Sequence, residues 1–183
     1  AIIDVATALG GRTMVLFTSY SQLSQTARAI ESSLAREKIT TLAQTSGTSR
    51  QMLLGQFKKE GARAVLLGTK SFWEGIDVPG DALQAVLLTK LPFDVPSDPV
   101  FAARSETFKS PFFEYSIPEA ILRYRQGFGR LIRRKQDEGV VVILDKRVLT
   151  KRYGQMFVNS LPDCTVLRQR NSRLGELTLR WLN

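Results

Sequence analysis

Five short apolar runs divide the chain: Met14-Val15-Leu16-Phe17, a weaker Thr40 to Ala43, Ala64-Val65-Leu66-Leu67, Ala85-Val86-Leu87-Leu88 and Val140-Val141-Val142-Ile143-Leu144. None alternates with polar residues, as a strand wet on one side would, so these runs read as strands buried on both faces. Helical patterns stand around them: Ile2 to Leu9, the stretch after Thr18-Ser19-Tyr20-Ser21 to about Lys38, Ser49 to about Lys59, a basic run from Lys146 to about Ser160, and Asn171 to Leu182. A further short strand is expected over Thr165 to Arg168. Strands alternating with helices predict an α/β fold, a mostly parallel sheet with helices on both faces, as one domain over residues 1–183. Crossovers should be right-handed and ligands should lie at the carboxyl ends of the strands.

The longest interruption falls between Leu88 and Val140. It opens with Leu91-Pro92-Phe93-Asp94-Val95-Pro96-Ser97-Asp98-Pro99, where Asp98 is placed as a helix N-cap and Pro99 as the first helical residue. An amphipathic stretch then begins near Ile117 and runs through Gln126-Gly127-Phe128-Gly129-Arg130-Leu131-Ile132-Arg133. At roughly 100° per residue, Ile117, Ile121, Tyr124, Phe128 and Leu131 share one side, while Gln126, Arg130 and Arg133 project from the other. Gly127 and Gly129 should each cost about 1 kcal/mol inside a helix, which fits a place where a backbone or nucleotide comes close and guanidiniums meet phosphate. The bland alternative is a solvated basic face.

Composition narrows the chemistry. Of the 183 residues 43% are hydrophobic, enough for one domain with a proper core, and a net charge of +9 suits a polyanionic partner, nucleic acid ahead of a membrane surface. No apolar run reaches the ~20 residues that span a bilayer, and no signal-peptide pattern is present. There is no histidine and only one cysteine, Cys164, so no metal site is expected and chemistry must rest on carboxylates, arginines, hydroxyls and backbone. Because the chain opens at Ala1 without a methionine, it is expected to be a piece of something longer.

The residues from Gly68 to Gly80 follow a buried strand and combine Thr69, Lys70, Trp73, Glu74, Gly75 and Asp77. Thr69 and Lys70 suit a phosphate; Trp73 suits base stacking or burial at a junction; Asp77 suits a ribose or a turn cap. The row Thr18, Ser19, Tyr20 before a helix is a ready anion site. Gly68-Thr69-Lys70-Ser71 is not a phosphate-binding loop, since that pattern needs lysine directly after glycine, and no G-x-G-x-x-G follows the first strand. No complete nucleotide site lies in this chain.

Together these stretches resemble the second RecA-like motor domain of superfamily-two helicases, in the DinG and XPD group. Phe17-Thr18-Ser19-Tyr20 is similar to that group's fourth motif, Gly68 to Gly80 with its W-E-G-I-D to the fifth, Gln126 to Arg133 to the sixth, and L-P-F-x-x-P-x-D-P to a segment after the fifth. The resemblance covers nearly the whole chain and implies ATP-driven translocation on single-stranded DNA, with 5′-to-3′ polarity. ATP and magnesium would lie in a cleft shared with an N-terminal motor domain of the same polypeptide, which would carry the phosphate-binding loop and any iron–sulfur cluster. Arg130 and Arg133 would then be arginine fingers, and Gln126 would arrange the γ-phosphate or attacking water. Asp77 and Glu74, with Gly75 and Gly129 near the nucleotide, would couple it to DNA, whose track would be Thr18, Ser19, Tyr20, Thr69, Lys70 and Trp73. A monomeric cytoplasmic protein without a membrane partner is expected. The rivals are a nucleic-acid-binding module without ATP turnover, for instance in a nuclease fusion, and a metabolic nucleotide-binding enzyme.

Overall fold

The computed structural model describes residues 1–60, 63–72, 78, 82–129, 131 and 138–182, apart from the side chain of Lys70. Among them run α1 (Ile2–Ala8), β1 (Thr13–Leu16), α2 (Tyr20–Arg36), β2 (Thr40–Ala43), α3 (Arg50–Glu60), β3 (Ala64–Gly68), β4 (Ala85–Leu88), α4 (Pro99–Ser105), α5 (Ile117–Phe128), β5 (Val140–Ile143), α6 (Arg147–Thr150), α7 (Gly154–Asn159) and α8 (Leu174–Leu182). The five strands form one sheet in the order β2-β3-β1-β4-β5, every neighbouring pair parallel. β1, β3 and β4 are buried at every residue, as their unbroken apolar runs require.

The pleat sends successive side chains to opposite faces. Met14 and Leu16 therefore pack with Leu53 and Phe57 of α3, Ile117, Ala120 and Tyr124 of α5, and Phe157 of α7. Val15 and Phe17 pack with Val5 of α1, Leu23, Ile30 and Leu34 of α2, and Leu174 and Leu182 of α8. A chain whose crossovers keep one hand must change faces when its direction along the sheet reverses. It does so between α2, which leads outward to β2, and α3, which leads back to β3.

Asp98 caps α4 as its sequence foretells, its Oδ1 accepting from the N–H groups of Val100 and Phe101 at 3.0 Å each, with Pro99 opening the helix. Three expectations are corrected. Residues 164–170 form no strand and are exposed, pairing with neither β2 nor β5 at the rims of the sheet. The basic run after β5 is two short helices, not one: Lys151 turns extended at ψ 143°, and a Cβ on Gly154 would lie 2.1 Å from the Val148 carbonyl oxygen, a closeness only glycine allows. The amphipathic helix starts at Ile117 but closes at Phe128 rather than continuing to Arg133. The Gly129 N–H still bonds the Arg125 carbonyl, whereas the Leu131 N–H bonds Phe128, a tighter turn that ends the rod where two glycines weaken it.

The apolar side of α5 is as expected, with Ile117, Tyr124 and Leu131 buried and Ile121 packed against the same core. Tyr124 lies edge-on to Phe157 with ring centroids 5.4 Å apart. Its hydroxyl has no hydrogen-bond partner among the described residues, and burial, then the nearby Cys164, push its pKa well above the ordinary tyrosine value. A buried hydroxyl without a partner costs its desolvation. The substitution Tyr124→Phe is therefore expected to raise the unfolding free energy by about 1 kcal/mol, read as a higher urea midpoint at unchanged slope; a loss of stability would show that the oxygen is satisfied in solution.

Candidate functional site

At the carboxyl edge of β1, Ser19 takes an extended conformation (φ −144°, ψ 145°) and its Oγ accepts from the Gln22 N–H at 3.3 Å, capping α2. Thr18, Ser19 and Tyr20 are all exposed, beside the free N–H groups of a 17-residue helix. The residue that ties this row to its neighbours is Gln44, which directly follows β2. Its Oε1 accepts from the Thr69 N–H and the Thr69 Oγ1, both at 2.8 Å, and its Nε2 donates to Tyr20 Oη at 2.9 Å and Ser71 Oγ at 3.0 Å. All four hydrogen-bonding positions of the amide are used.

One of those partners fixes the direction of the rest. The Thr69 N–H can only donate, so the oxygen of Gln44 must face it and the NH₂ group must face Tyr20 and Ser71. The hydroxyls of Tyr20 and Ser71 therefore act as acceptors toward Gln44, and their own protons are left for a ligand. Thr69 fares differently from expectation: it is only 4% exposed and its one hydroxyl proton is committed to Gln44, so it positions the rim and does not itself offer a donor. Gly68 makes this geometry accessible. A Cβ there would stand 2.4 Å from the fully buried Phe72 ring, whose backbone N–H folds back onto the Thr69 carbonyl at 2.8 Å.

Gln126 and Gly129 lie at the opposite edge. A helix that follows a parallel strand runs back along it, and the end of α5 reaches the start of β5: Leu131 packs on Gly139, and the next residue, Val140, donates its N–H to Gln84 ahead of β4 at 2.9 Å. Gln126 is half-buried there, and Gly129 is exposed with room for a Cβ, its nearest neighbour being the Arg125 carbonyl at 3.4 Å. Ligands are expected at the carboxyl ends of the strands, and these two residues stand at the other end. The segment from Phe72 to Ala82 joins the two edges. Trp73, Glu74, Gly75, Asp77, Arg130 and Arg133 lie outside the described residues, as does the Lys70 side chain.

The carboxyl ends of β4 and β5 hold a third feature that the sequence reading overlooked. Asp145 Oδ2 accepts from the Leu91 N–H at 2.9 Å and from Arg147 Nη2 at 2.6 Å, while Oδ1 accepts from the Arg147 N–H at 2.9 Å and from Nε at 3.0 Å. Burial alone would raise this carboxyl, but hydrogen bonds from the Arg147 side chain and from the Leu91 and Arg147 backbone, with the guanidinium's charge, hold it below the usual carboxylate value. The guanidinium carbon also lies 5.3 Å above the Phe93 ring. A signal existed in the polar pair D-x-R closing the most apolar strand, but it reads equally as the start of a solvated basic helix.

Removing the hub should be costly, since Gln44→Ala strands the buried Thr69 N–H and hydroxyl: a loss of about 2–3 kcal/mol in urea unfolding is expected, and a change under 0.5 kcal/mol would show that the rim reorganises freely. Because the folded-state pKa of Asp145 lies below its unfolded value of about 3.9, its contribution is present above that pH and disappears as pH falls through the folded value. The stability gap between wild type and Asp145→Asn should therefore narrow as pH drops below about 4, a trend that pH-dependent urea unfolding of both proteins will reveal or refute.

Residues 2–164 match the family of helicase C-terminal domains. The chain is 41% identical over 166 residues to a Bacillus subtilis protein named 3′-5′ exonuclease DinG, covering 88% of this chain and 18% of that one. It is 41% identical over 174 residues to the ATP-dependent DNA helicase YoaA of Haemophilus influenzae, covering 93% and 26%. Against the ATP-dependent helicase DinG of Mycobacterium tuberculosis the identity is 39% over 166 residues, covering 88% and 24%. The chain thus spans about a quarter or less of these relatives. With a parallel α/β sheet of RecA-like type, a hydroxyl rim on one edge and the Gln126 helix ending at the other, this chain belongs to the helicase C-terminal domain family, alongside the DinG and YoaA proteins.

Proposed function

We propose that this chain is the second motor domain of an ATP-dependent DNA helicase of DinG type, and that it hydrolyses ATP only together with a first motor domain. The observation that supports the reading is that, of the described candidates, Thr18, Ser19, Tyr20 and Thr69 stand at one edge of the sheet and Gln126 and Gly129 at the other. The relatives named ATP-dependent DNA helicases support the same activity. At the carboxyl edge, the exposed N-terminus of α2 and the outward hydroxyl protons of Ser19, Tyr20 and Ser71 supply donors for the phosphates of single-stranded DNA. Such contacts grip the backbone and carry no sequence information, as a translocating motor requires.

Gln126, at the amino edge, and the two arginines that follow α5 in the sequence address ATP and its magnesium ion held by the first motor domain. Phosphoryl transfer through a loose transition state needs charge placed against the transferring group, and an arginine supplied from a second domain makes hydrolysis conditional on closure. Arg130 and Arg133 are assigned that role, with Gln126 orienting the γ-phosphate or the attacking water. Asp77 and Glu74 lie on the segment that joins the edges, so DNA grip and nucleotide state move together. Gly75 and the uncrowded Gly129 leave room for the nucleotide. Lys70 and Trp73 extend the DNA track. Among the described residues no helix is long and apolar enough to cross a membrane, and the protein is assigned to the cytoplasm as a monomer.

In the full-length protein, Arg130→Ala or Arg133→Ala is expected to lower DNA-stimulated ATPase activity by about 10³-fold while single-stranded DNA affinity stays within a few-fold. The reciprocal variant Ser19→Ala/Tyr20→Phe should weaken DNA binding and abolish the stimulation by DNA, with DNA-independent turnover retained. Equal loss of both activities in the arginine variants would make those residues a phosphate clamp. DNA binding without any ATP turnover in the wild-type protein would favour the nucleic-acid-binding module of a helicase-like or nuclease-fused protein, and one relative, from Bacillus subtilis, is named an exonuclease.

A further inference from the structure

The face of the sheet opposite α5 is covered by α1, α2 and α8. A Cβ on Gly175 of α8 would lie 2.7 Å from the Asp4 carbonyl oxygen of α1, so glycine is what lets the two helices touch backbone to side. Val5 and Ala6 are fully buried, and Leu174 and Leu182 pack against the same cluster, which fixes the pair to the core. Beside their contact lies an open groove of about 460 Å³ between α1, α8 and Glu37, the last residue of α2's cap. Ile3, Ala8 and the 45%-exposed Leu179 give it apolar surface, while Asp4, Glu37 and Glu176 give it three carboxylates. No lysine or arginine lines it.

The sign of that lining runs against the rest of the molecule. The chain carries 26 lysines and arginines against 17 acidic residues, so a groove with carboxylates alone repels the phosphate backbone that the remaining surface attracts. Its charges are open to a partner. Glu37 is exposed and has no ion pair among the described residues. Glu176 meets Arg173 at 3.4 Å with both side chains more than half exposed, and the half-exposed Asp4 meets the Ala1 amine at 2.9 Å. Ion pairs standing in water are worth little and exchange readily for another cation.

We propose that this groove docks a basic amphipathic helix of a partner protein, whose apolar anchors meet Ile3, Ala8 and Leu179 and whose flanking lysines or arginines pair with Asp4, Glu37 and Glu176. The channel between two packed helices takes a third, with anchors at i, i+3, i+4 and i+7. Apolar surface alone would accept a second copy of this chain, whereas three carboxylates with no cation among them select a basic segment. Ala8 and Glu37 stand shortly before β1 and β2, so the groove lies toward the amino edge, on the face away from α5 and far from the hydroxyl rim. The docked helix leaves the proposed DNA and ATP contacts free, and the proposal does not depend on the motor reading.

The test uses the full-length protein and three labelled helical peptides of about 14 residues, roughly four turns. The first carries leucines at i, i+3, i+4 and i+7 with lysines on both flanks, the second has glutamates for the lysines, and the third has serines for the leucines. Anisotropy titration is expected to show binding of the first that weakens as salt rises, and about tenfold or weaker binding of the other two. Leu179→Ser and Glu37→Lys are each expected to lower affinity for the first peptide by roughly tenfold, the size of one lost anchor. Glu106→Lys, the same reversal at the exposed end of α4, is expected to bind it as wild type does. Unchanged melting temperatures and oligothymidylate affinity in Leu179→Ser and Glu37→Lys show that the fold is intact. Failure of the wild type to bind the first peptide, or an equal loss in Glu106→Lys, overturns the proposal. So does sedimentation of the wild type as a dimer that Leu179→Ser turns into a monomer, because a second copy is then the occupant. Specific binding of the peptide by a protein that turns over no ATP supports the docking site while the motor reading falls.

Discussion

A parallel sheet that is dry on both faces leaves its polar chemistry nowhere to go but the two edges. β1, β3 and β4 are buried residue by residue, and β1 is paired on both sides, so its backbone groups are spent within the ladder. Any ligand of the sheet itself must meet the chain where it leaves a strand or approaches one. In this protein the exposed hydroxyls after β1 and the Gln126 end of α5 stand at opposite edges, and the sheet between them is the rigid body that keeps them at fixed separation. That is the physical basis for the proposal that the domain acts as a lever, in which a DNA grip at one edge and a nucleotide contact at the other would move together.

The carboxyl edge is fixed by two polar anchors of similar logic. Gln44 ties the loop after β3 to the first residue of α2, and Asp145 ties the loop after β4 to the turn after β5. Each uses its full capacity on neighbours, and neither has capacity left to meet a ligand directly. A net gain near 1 kcal/mol per bond is modest. The larger effect is orientation: a saturated amide or carboxylate admits one arrangement of the groups around it, so exposed hydroxyls and lysines are presented from loops that do not wander. Buried polar groups that are fully satisfied serve to specify geometry in this way.

Much of the fold was legible in the chain. Every strand of the sheet was legible to within a residue or so, most clearly β1, β3 and β4, whose burial on both faces leaves no polar alternation to confuse the reading. The Asp98-Pro99 pair marked a helix start because its hydrogen bonds are local. What failed was non-local in origin. The helix from Lys146 broke where Gly154 lies against the Val148 carbonyl, the run at Val166 and Leu167 found no strand to join, and α5 stopped at Phe128 where its tight final turn brings Leu131 onto Gly139. Gln44 escaped notice because its partners lie 24 to 27 residues away, and Asp145 because Leu91 lies 54 away.

The sequence by itself determined which segments are strands and helices, which sides of them are apolar, and which residue types suit phosphate and nucleotide, since periodicity and side-chain chemistry are properties of short stretches. Only the tertiary structure decided that Thr69 is turned inward to Gln44, that the Gln126 end of α5 lies across the sheet from Ser19, and that Asp4, Glu37 and Glu176 share a groove. Those are facts about which edge of a sheet a residue reaches and what packs beside it, and strand order and register set them only once the whole chain has closed on its core.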